Sequence, residues 1–309
     1  MQPTYHPTLF RDELADSGLI HLTSVKGVYA RGPVLEDIIT RFDALVMRMA
    51  ADDGAEEVTF PPVVARALIE RMGYLDNFPQ LIGSIHSFTG SDAQAKAMAQ
   101  KARDGERWEE ALDITELMML PAACYPVYPM FSGLLAGTGR LVTTKNWCFR
   151  HEPSDEPTRL QSFRMREFIR LGAPADVEVW RDQWLQRGLA LLQGLGLPAA
   201  ADVANDPFFG RVGKIMANSQ REQRLKFEIL VPVISLEAPT AVCSFNWHQE
   251  HFARKFGIEQ GRAGQLAHTA CLGFGLERVA LALVKTHGVD PEAWPDDVRR
   301  QLWPETAPR

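Results

Sequence analysis

The segment from Thr143 to Leu171, TTKNWCFRHEPSDEPTRLQSFRMREFIRL, decides the fold. Its first arm is TKNWCFRHE, and its second arm, which continues to Gly172, is SFRMREFIRLG. The connecting stretch, EPSDEPTRLQ, is polar and contains two prolines, which is typical of a loop longer than a tight turn. The segment therefore predicts a β-hairpin.

The hairpin is expected to gather functional side chains on one face. Because side chains alternate between the two faces of a strand, Arg150 and Glu152 fall on the same face of the first arm. One face of the second arm carries Gln161, Phe163, Met165 and Glu167. An aromatic ring and a carboxylate of the second arm are therefore expected to face the same space.

Helices and further strands are predicted around the hairpin. Pro33 opens a strong helical pattern that can end at Gly54, and a short strand from about Glu56 to Phe60 follows and stops at Pro61 and Pro62. Further helices are predicted over residues 63–73, 93–104, 207–222 and Gly273–Thr286, and another helix runs from the hairpin to about Gly194 or Gly196. Further strands are predicted over Lys226–Ile234 and Thr240–Phe245. Strands paired by hairpins and separated by helices predict an α+β fold, in which helices pack on an antiparallel sheet.

The composition excludes several classes of protein. Of the 309 residues, 46% are hydrophobic, which suits a large globular core, and the net charge of −6 is not typical of a protein that grips a long stretch of RNA. No apolar stretch is long enough to span a membrane and residues 1–18 lack the features of a signal peptide, so a cytoplasmic protein is expected. Four cysteines lie far apart and in that compartment should be thiols or metal ligands: Cys124, Cys148, Cys243 and Cys271. No GxxxxGK[ST] motif occurs, so a P-loop is not available for ATP.

Three sequence elements together resemble the signature motifs of class II aminoacyl-tRNA synthetases. FRHE (149–152) with RLQSFRMRE (159–167) resembles the second motif, and GFGLER (273–278) resembles the third. Residues 27–62 resemble the first motif, which forms the dimer interface in that class, so a homodimer is expected. FRHE alone would favour an ordinary half-exposed hairpin with salt bridges. FRHE, the second arm and GFGLER in the right order favour the synthetase interpretation, which implies an antiparallel sheet flanked by helices.

The resemblance implies a set of residues that bind ATP with Mg²⁺: Arg150, Glu152, Arg159, Phe163, Glu237 and Arg278. Activation of an amino acid is an in-line attack of its carboxylate on the α-phosphate of ATP, so fixed cations are needed to overcome the repulsion between negative charges. By resemblance, Arg150 holds the α-phosphate, Arg278 the γ-phosphate, and Arg159 reaches the distal phosphates. Glu152 would accept a hydrogen bond from the adenine amino group, and Phe163 would stack on the base.

A zinc site is implied by a second resemblance. The segment MLPAAC (119–124) is similar to the MxPxxC segment of threonyl-tRNA synthetases, and Cys124, Glu167 and Cys271 occupy the positions of the Cys-Glu-Cys zinc ligands of archaeal-type seryl-tRNA synthetases. Three protein ligands leave one position open, which could take the α-amino group of the substrate. The alternative is three unrelated residues, because free cysteine is common in cores as a small apolar side chain.

The region before the third motif also resembles seryl-tRNA synthetases. It contains EAPTAVCSFN (237–246) and, downstream, HTAC (268–271). The resemblance implies that Glu237 helps to hold Mg²⁺ and that Ser244 and Asn246 face the substrate. The alternative for Ser244 and Asn246 is a role in the strand and at a helix N-cap, where asparagine is favoured.

Across nearly its whole length the chain resembles the bacterial amino acid:[carrier protein] ligases. The resemblance implies a single catalytic domain over residues 1–309, without a tRNA-binding domain. It also implies that the enzyme activates glycine or alanine and passes it to the phosphopantetheine thiol of a small acidic carrier protein, with no role for tRNA or a membrane. The alternatives are a truncated seryl-type tRNA synthetase and an inactive regulatory paralogue.

Residues 205–226 are the candidate docking element for such a carrier. A basic surface should receive an acidic partner, and the segment carries Arg211, Lys214, Arg221, Arg224 and Lys226 among apolar residues. The alternative is an ordinary solvated helix face.

Overall fold

The computed structural model describes residues 7–304, apart from the side chain of Pro7. Its helices are α1 (Pro7–Asp16), α2 (Pro33–Met49), α3 (Arg66–Met72), α4 (Tyr74–Asn77), α5 (Asp92–Arg103), α6 (Pro174–Gly194), α7 (Gly210–Glu222), α8 (His251–Phe256), α9 (Leu276–His287) and α10 (Asp296–Leu302). Its strands are β1 (Ile20–Leu22), β2 (Tyr29–Arg31), β3 (Glu56–Glu57), β4 (Val63–Ala65), β5 (Ser84–Ser87), β6 (Asp113–Met119), β7 (Gly133–Leu134), β8 (Arg140–Phe149), β9 (Ser162–Gly172), β10 (Ala200–Val203), β11 (Lys226–Val231), β12 (Thr240–Gln249), β13 (Ile258–Glu259) and β14 (His268–Gly275).

A seven-stranded sheet in the order β10-β11-β12-β14-β9-β8-β3 organises the molecule. All neighbours are antiparallel except β3 and β8, which pair in parallel. The predicted hairpin is confirmed, because β8 and β9 pair from Arg140 opposite Leu171 to Phe149 opposite Ser162. The predicted α+β class is confirmed as well.

The main core lies between one face of this sheet and helices α2, α6 and α9. Helix α2 forms where the sequence predicts it: Pro33 occupies its first turn, and its apolar stripe is buried at Leu35, Ile38, Ile39, Phe42 and Val46. The chain leaves the short 3-10 turn after α2 at Gly54, which has a φ of 68°. Trp184 of α6 stacks on Phe168 of β9 at a centroid distance of 4.9 Å.

Several element boundaries differ from the sequence prediction. The strand expected over Glu56–Phe60 is only Glu56–Glu57, followed by one further backbone hydrogen bond from the Val58 N–H to the Thr143 carbonyl at 2.9 Å. Residues 63–65 are strand β4 rather than helix. The helix expected from Gly273 begins only at Leu276, because Gly273–Gly275 complete β14. Strand β14 shows no alternation in the sequence because seven of its eight residues are buried.

A second layer covers the opposite face of the sheet. It contains the small sheet β4-β6-β5, helices α3 and α8, and an apolar cluster around Tyr128 and Phe252, whose rings stack at 4.3 Å. Within residues 7–304 no helix is both long and apolar enough to cross a membrane. The space left between this layer and the sheet is the candidate active site.

Candidate active site

A cavity of about 600 Å³ lies on one face of the sheet, where alternate residues of β9 and β12 point into it. Phe163, Met165 and Glu167 of β9 line it, as the period-2 pattern predicts. Ser244 and Asn246 of β12 line it as well. Their neighbour Phe245 is fully buried in the core on the other side of the sheet.

The register of four strands places a row of polar side chains across the cavity floor. Glu228 pairs with Ser244, Ser244 with Gly273, and Gly273 with Glu167. Gly273 carries no side chain, so the end of the Met165 side chain can lie against its backbone between Ser244 and Glu167. A Cβ at this position would lie 2.7 Å from the Met165 methyl carbon and 3.3 Å from Glu167 Cγ. A larger residue at this position would therefore push on Met165 and Glu167, both of which line the cavity.

Two arginines predicted to bind phosphate line this same cavity. Arg150 donates from Nε to the Pro121 carbonyl at 3.1 Å. Arg278 donates to the carbonyls of Thr158 at 2.8 Å and Ala241 at 3.0 Å. These carbonyl contacts fix both guanidinium groups while leaving other N–H groups of each fork for a ligand. The structure thus brings together two arginines that are 128 positions apart in the sequence.

The electrostatics around Arg278 are unfavourable without an anion. Burial lowers the pKa of Arg278, and the positive charges of Arg150 and Arg159 lower it further. A polyphosphate would relieve this repulsion, because each guanidinium group could pair with phosphate oxygens.

The remaining predicted ATP residues divide into two groups. Glu152 and Phe163 line the cavity, with the Arg150 guanidinium carbon 5.6 Å from the centre of the Phe163 ring. Arg159 is about half exposed, pairs with Glu152 at 2.9 Å and is not among the lining residues. Glu237 is exposed, accepts a hydrogen bond from Ser235 and does not line the cavity either.

The three predicted metal ligands meet at the cavity wall. Cys124, Glu167 and Cys271 are all buried, and a ligand atom from each lies within 4.8 Å of the other two. The Glu167 Oε1 atom accepts a hydrogen bond from the Ala123 N–H at 3.1 Å. Within the described part of the chain, the buried Oε2 atom has no hydrogen-bond partner.

The donor set fits a zinc ion. Burial raises the pKa of the Glu167 carboxyl to about 8, and the negative charge of Cys271 adds to the shift. Such a carboxylate, with one oxygen unsatisfied beside two thiols, is costly unless a cation is bound. Two sulfurs and one carboxylate oxygen are ligands that zinc accepts, with a fourth position left open.

Helix α7 lies at the cavity mouth. Its Ile215 and Met216 line the cavity, while Arg211 and Lys214 on the same helix are exposed. Val212 and Ile215 expose 70% and 67% of their surface, so the helix presents apolar as well as basic groups. Lys226, which the sequence places in the docking segment, is instead buried and paired with Asp206 at 2.7 Å and Glu228 at 3.0 Å.

Sequence reasoning missed several lining residues, among them Asp206, Glu228, His248 and His251. Asp206 and Glu228 belong to no motif and reach the cavity through the pairing of β11 with β12 and through the loop before α7. The sequence could have predicted His248 as a lining residue, because it follows Ser244 and Asn246 at the same spacing of two residues.

Solved structures define the class of protein to which this fold belongs. The seryl-tRNA synthetase (SerRS) of M. kandleri, in complex with A. aeolicus tRNASec, matches with a TM-score of 0.81 at 21% identity, over 98% of this chain and 61% of that one. Seryl-tRNA synthetase from Pyrococcus horikoshii, complexed with ATP, matches with a TM-score of 0.69 at 15% identity, over 95% of this chain and 62% of that one. The fold is that of a class II aminoacyl-tRNA synthetase catalytic core.

The sequence comparison narrows this class to a family. Amino acid--[acyl-carrier-protein] ligase 1 of Bradyrhizobium diazoefficiens is 44% identical over 290 residues, which is 93% of this chain and 88% of that protein. No family model matches the chain. The chain belongs to the amino acid--[acyl-carrier-protein] ligase family, and the ligase class predicted from the motifs is confirmed.

Proposed function

We propose that this protein activates a small amino acid, glycine or alanine, as its adenylate and transfers it to the phosphopantetheine thiol of a carrier protein. The observation that carries the proposal is the convergence of Arg150 and Arg278 on one cavity that also contains the Cys124, Glu167 and Cys271 cluster. Membership of the ligase family supports the same reaction and acceptor.

In the first half-reaction the amino-acid carboxylate attacks the α-phosphate of ATP bound with Mg²⁺. A carboxylate O–P bond forms, and pyrophosphate leaves with the electrons of the broken P–O bond. Arg150 binds the α-phosphate and Arg278 the γ-phosphate, so both hold the reacting groups in line and offset their negative charge. Phe163 packs against the adenine base and Glu152 accepts from its amino group, while Arg159, now paired with Glu152, turns toward the distal phosphates.

Cys124, Glu167 and Cys271 would hold a zinc ion. A bound zinc ion supplies an open coordination position that selects an unprotonated α-amino group. Ser244 and Asn246 face the same space and position the amino acid over Gly273. The small cavity floor favours a substrate with little or no side chain.

In the second half-reaction the carrier thiol attacks the carbonyl carbon of the adenylate. A C–S bond forms, the carbonyl carbon–oxygen bond to phosphate breaks, AMP leaves with those electrons, and the thiol proton is released to solvent. We propose that α7 receives the acidic carrier protein at the cavity mouth, with Arg211 and Lys214 as its basic contacts. We also propose a homodimer formed through residues 27–62, which sedimentation would reveal as a species of twice the 34.6 kDa mass of the chain.

ATP–pyrophosphate exchange tests the activation step. Zinc-replete protein should exchange label with glycine or alanine present and much less with serine. Arg278→Ala should reduce the exchange by at least about a hundredfold, since loss of one fixed group at a developing charge typically costs that much, while the melting temperature stays near that of the wild type. No exchange with any of the three amino acids would contradict the proposal.

A second assay tests the acceptor. Radiolabelled glycine or alanine with ATP is offered side by side to a phosphopantetheinylated carrier protein, the same carrier without the arm, and bulk tRNA. We expect label that is labile to hydroxylamine on the first carrier alone. Labelling of tRNA alone would instead favour a truncated seryl-type synthetase.

A further inference from the structure

His248 lies in the cavity against the metal-ligand cluster and has no role in the reaction proposed above. Its Nε2 atom is 3.5 Å from the Cys271 sulfur. Its Nδ1 atom is 3.2 Å from the Thr269 hydroxyl and 3.5 Å from the Tyr128 hydroxyl. The imidazole ring therefore connects a candidate zinc ligand to two buried hydroxyl groups.

The surroundings of the ring determine which nitrogen carries its proton. Thr269 is fully buried, and within residues 7–304 its hydroxyl group makes a side-chain hydrogen bond with His248 Nδ1. A hydroxyl group can both donate and accept, so the Thr269 hydroxyl can donate to Nδ1 when the ring carries an N–H at Nε2. A zinc-bound thiolate has no proton to donate. The Cys271 end therefore requires an N–H at Nε2, and the Thr269 end is compatible with it.

The Cys271 sulfur has a second N–H neighbour. The Asn246 side-chain amide donates to it at 3.6 Å, from the position that pairs with Cys271 in the sheet. The His248 ring is held from the side by Phe252, at a centroid distance of 4.7 Å, and by the edge of Tyr128 at 6.1 Å. Its orientation is thus set by packing as well as by hydrogen bonds.

We infer that His248 is a positioning residue for the metal site: its ring donates from Nε2 to the Cys271 thiolate and holds that sulfur on the zinc. The inference rests on the zinc site proposed above. Hydrogen bonds to a thiolate ligand fix its direction and stabilise its charge, and loss of such an outer partner typically reduces metal affinity about 10- to 100-fold.

The test compares three variants with the wild type. His248→Phe keeps an aromatic ring against Phe252 but removes the N–H donor. His248→Gln keeps an amide N–H that can reach the position of Nε2. Thr269→Val removes the hydroxyl group that hydrogen-bonds to Nδ1 without changing the size of the side chain. His251→Gln is the matched control, because this histidine also lines the cavity but makes no hydrogen bond to a metal ligand in the described residues.

Zinc affinity is measured by competition with a chromophoric chelator, and the protein is also loaded with Co²⁺ for absorption spectroscopy. We expect His248→Phe to weaken zinc binding about 10- to 100-fold and to move the sulfur-to-cobalt charge-transfer band to longer wavelength, since the sulfur loses a donor. His248→Gln should recover most of both effects, Thr269→Val should give a smaller shift in the same direction, and His251→Gln should match the wild type.

Two failures can be told apart. If the wild-type protein binds neither zinc nor cobalt, the proposed metal site does not exist. Wild-type protein that binds zinc, with His248→Phe and Thr269→Val equal to it in affinity and cobalt spectrum, would overturn the role of His248 alone. If His248→Phe does not fold, Thr269→Val and His248→Gln decide by the same two measurements.

Discussion

At the residue scale, the cavity depends on positions where a side chain is missing as much as on those where one is present. Gly273 separates Ser244 from Glu167 on neighbouring strands, and its backbone needs no positive φ. A glycine is therefore needed here because the neighbouring side chains occupy the place of a larger residue, and not because the backbone needs conformational freedom. Arg150 and Arg278 are positions where a side chain is present. Backbone carbonyl groups hold each guanidinium group before any ligand binds.

Gly273→Ala tests the role of this space. The new methyl group would lie 2.7 Å from the end of the Met165 side chain, which can move, so the melting temperature should change little. The methyl group narrows the floor beside Glu167, so the KM for the amino acid should rise about tenfold, equivalent to about 1.4 kcal/mol. Pyrophosphate exchange at varied amino-acid and ATP concentrations measures both KM values.

The matched control is Gly194→Ala, where the nearest atom to a new methyl group is 3.9 Å away. This variant should leave both KM values unchanged. An unchanged amino-acid KM in Gly273→Ala would show that the substrate does not lie over this glycine.

At the scale of elements, α2 is fastened to the hairpin by a buried ion pair. Arg166 of β9 is 3% exposed and donates to both oxygens of Asp43 in α2, at 2.7 and 3.1 Å. Lys145 of β8 donates to the same carboxylate at 2.9 Å. Helix α2 thus stays in register with β8, which ends one residue before Arg150, and with β9, which carries Phe163.

Asp43→Asn is expected to destabilise the fold by about 3 kcal/mol, because it leaves the buried Arg166 charge without its closest partner. Burial alone would raise the pKa of Asp43, but hydrogen bonds and charge from Arg166 and Lys145 outweigh it and lower the pKa below the ordinary 3.8. The stabilisation is therefore complete above about pH 4 and is lost as the pH falls through the lowered pKa of the folded state.

Urea unfolding of the wild type and Asp43→Asn, from pH 7 down to strongly acidic pH, measures the difference between their free energies of unfolding. The gap between the two proteins should close as the pH falls below 3.8. Arg41→Gln is a suitable control, since its partner Asp37 is exposed on the same helix and the pair should contribute at most about 1 kcal/mol. A gap that does not change with pH would mean that Asp43 is not ionised in the folded protein.

Helix α7 is an element whose exposed face has a predicted partner. Charge reversal by Arg211→Glu together with Lys214→Glu should raise the KM for the carrier protein about tenfold or more and weaken its dependence on salt. Pyrophosphate exchange should stay at the wild-type rate, because neither side chain lines the cavity. Steady-state transfer to the carrier at two salt concentrations provides the measurement.

The control reverses the same number of charges on another exposed helix, with Lys96→Glu and Lys101→Glu on α5. If both double variants impair transfer equally, the effect comes from net charge and α7 is not the docking element.

At the scale of the whole molecule, the proposed zinc ion would join parts of the fold that are distant in the sequence. Cys124 follows the outer sheet, while Glu167 and Cys271 belong to adjacent strands of the main sheet. Cys124 and Cys271 belong to the apolar cluster around Tyr128 and Phe252, and all three residues line the cavity. A metal ion here would therefore stabilise the layer that covers the active site.

Zinc should accordingly raise the melting temperature. A ligand present at a thousand times its Kd stabilises the folded state by about 4 kcal/mol, which corresponds to about 6 °C for a chain of this size. Scanning calorimetry of chelator-treated and zinc-reloaded protein measures the shift. Cys124→Ser should lose most of the response to zinc, and Cys243→Ser, at a buried cysteine outside the cluster, should keep it. Equal melting temperatures with and without zinc in the wild type would argue against the metal.

The sequence by itself determined the hairpin, helix α2 and the family, because these depend on local periodicity and on motifs whose residues lie within a few positions of one another. Alternation in β9 placed Phe163, Met165 and Glu167 on one face. The pattern could not show β14 as a strand, since burial on both faces removes the alternation that marks one.

Only the tertiary structure decided which polar residues share the cavity. Strand register placed Glu228 beside Ser244 and brought His248 against Cys271, and neither pair follows from spacing along the chain. The same folding left Glu237 outside the cavity and buried Lys226, which the sequence could only count as a surface charge. Local order is written in short-range sequence patterns, whereas the chemistry of this site depends on contacts between strands that only the packed sheet creates.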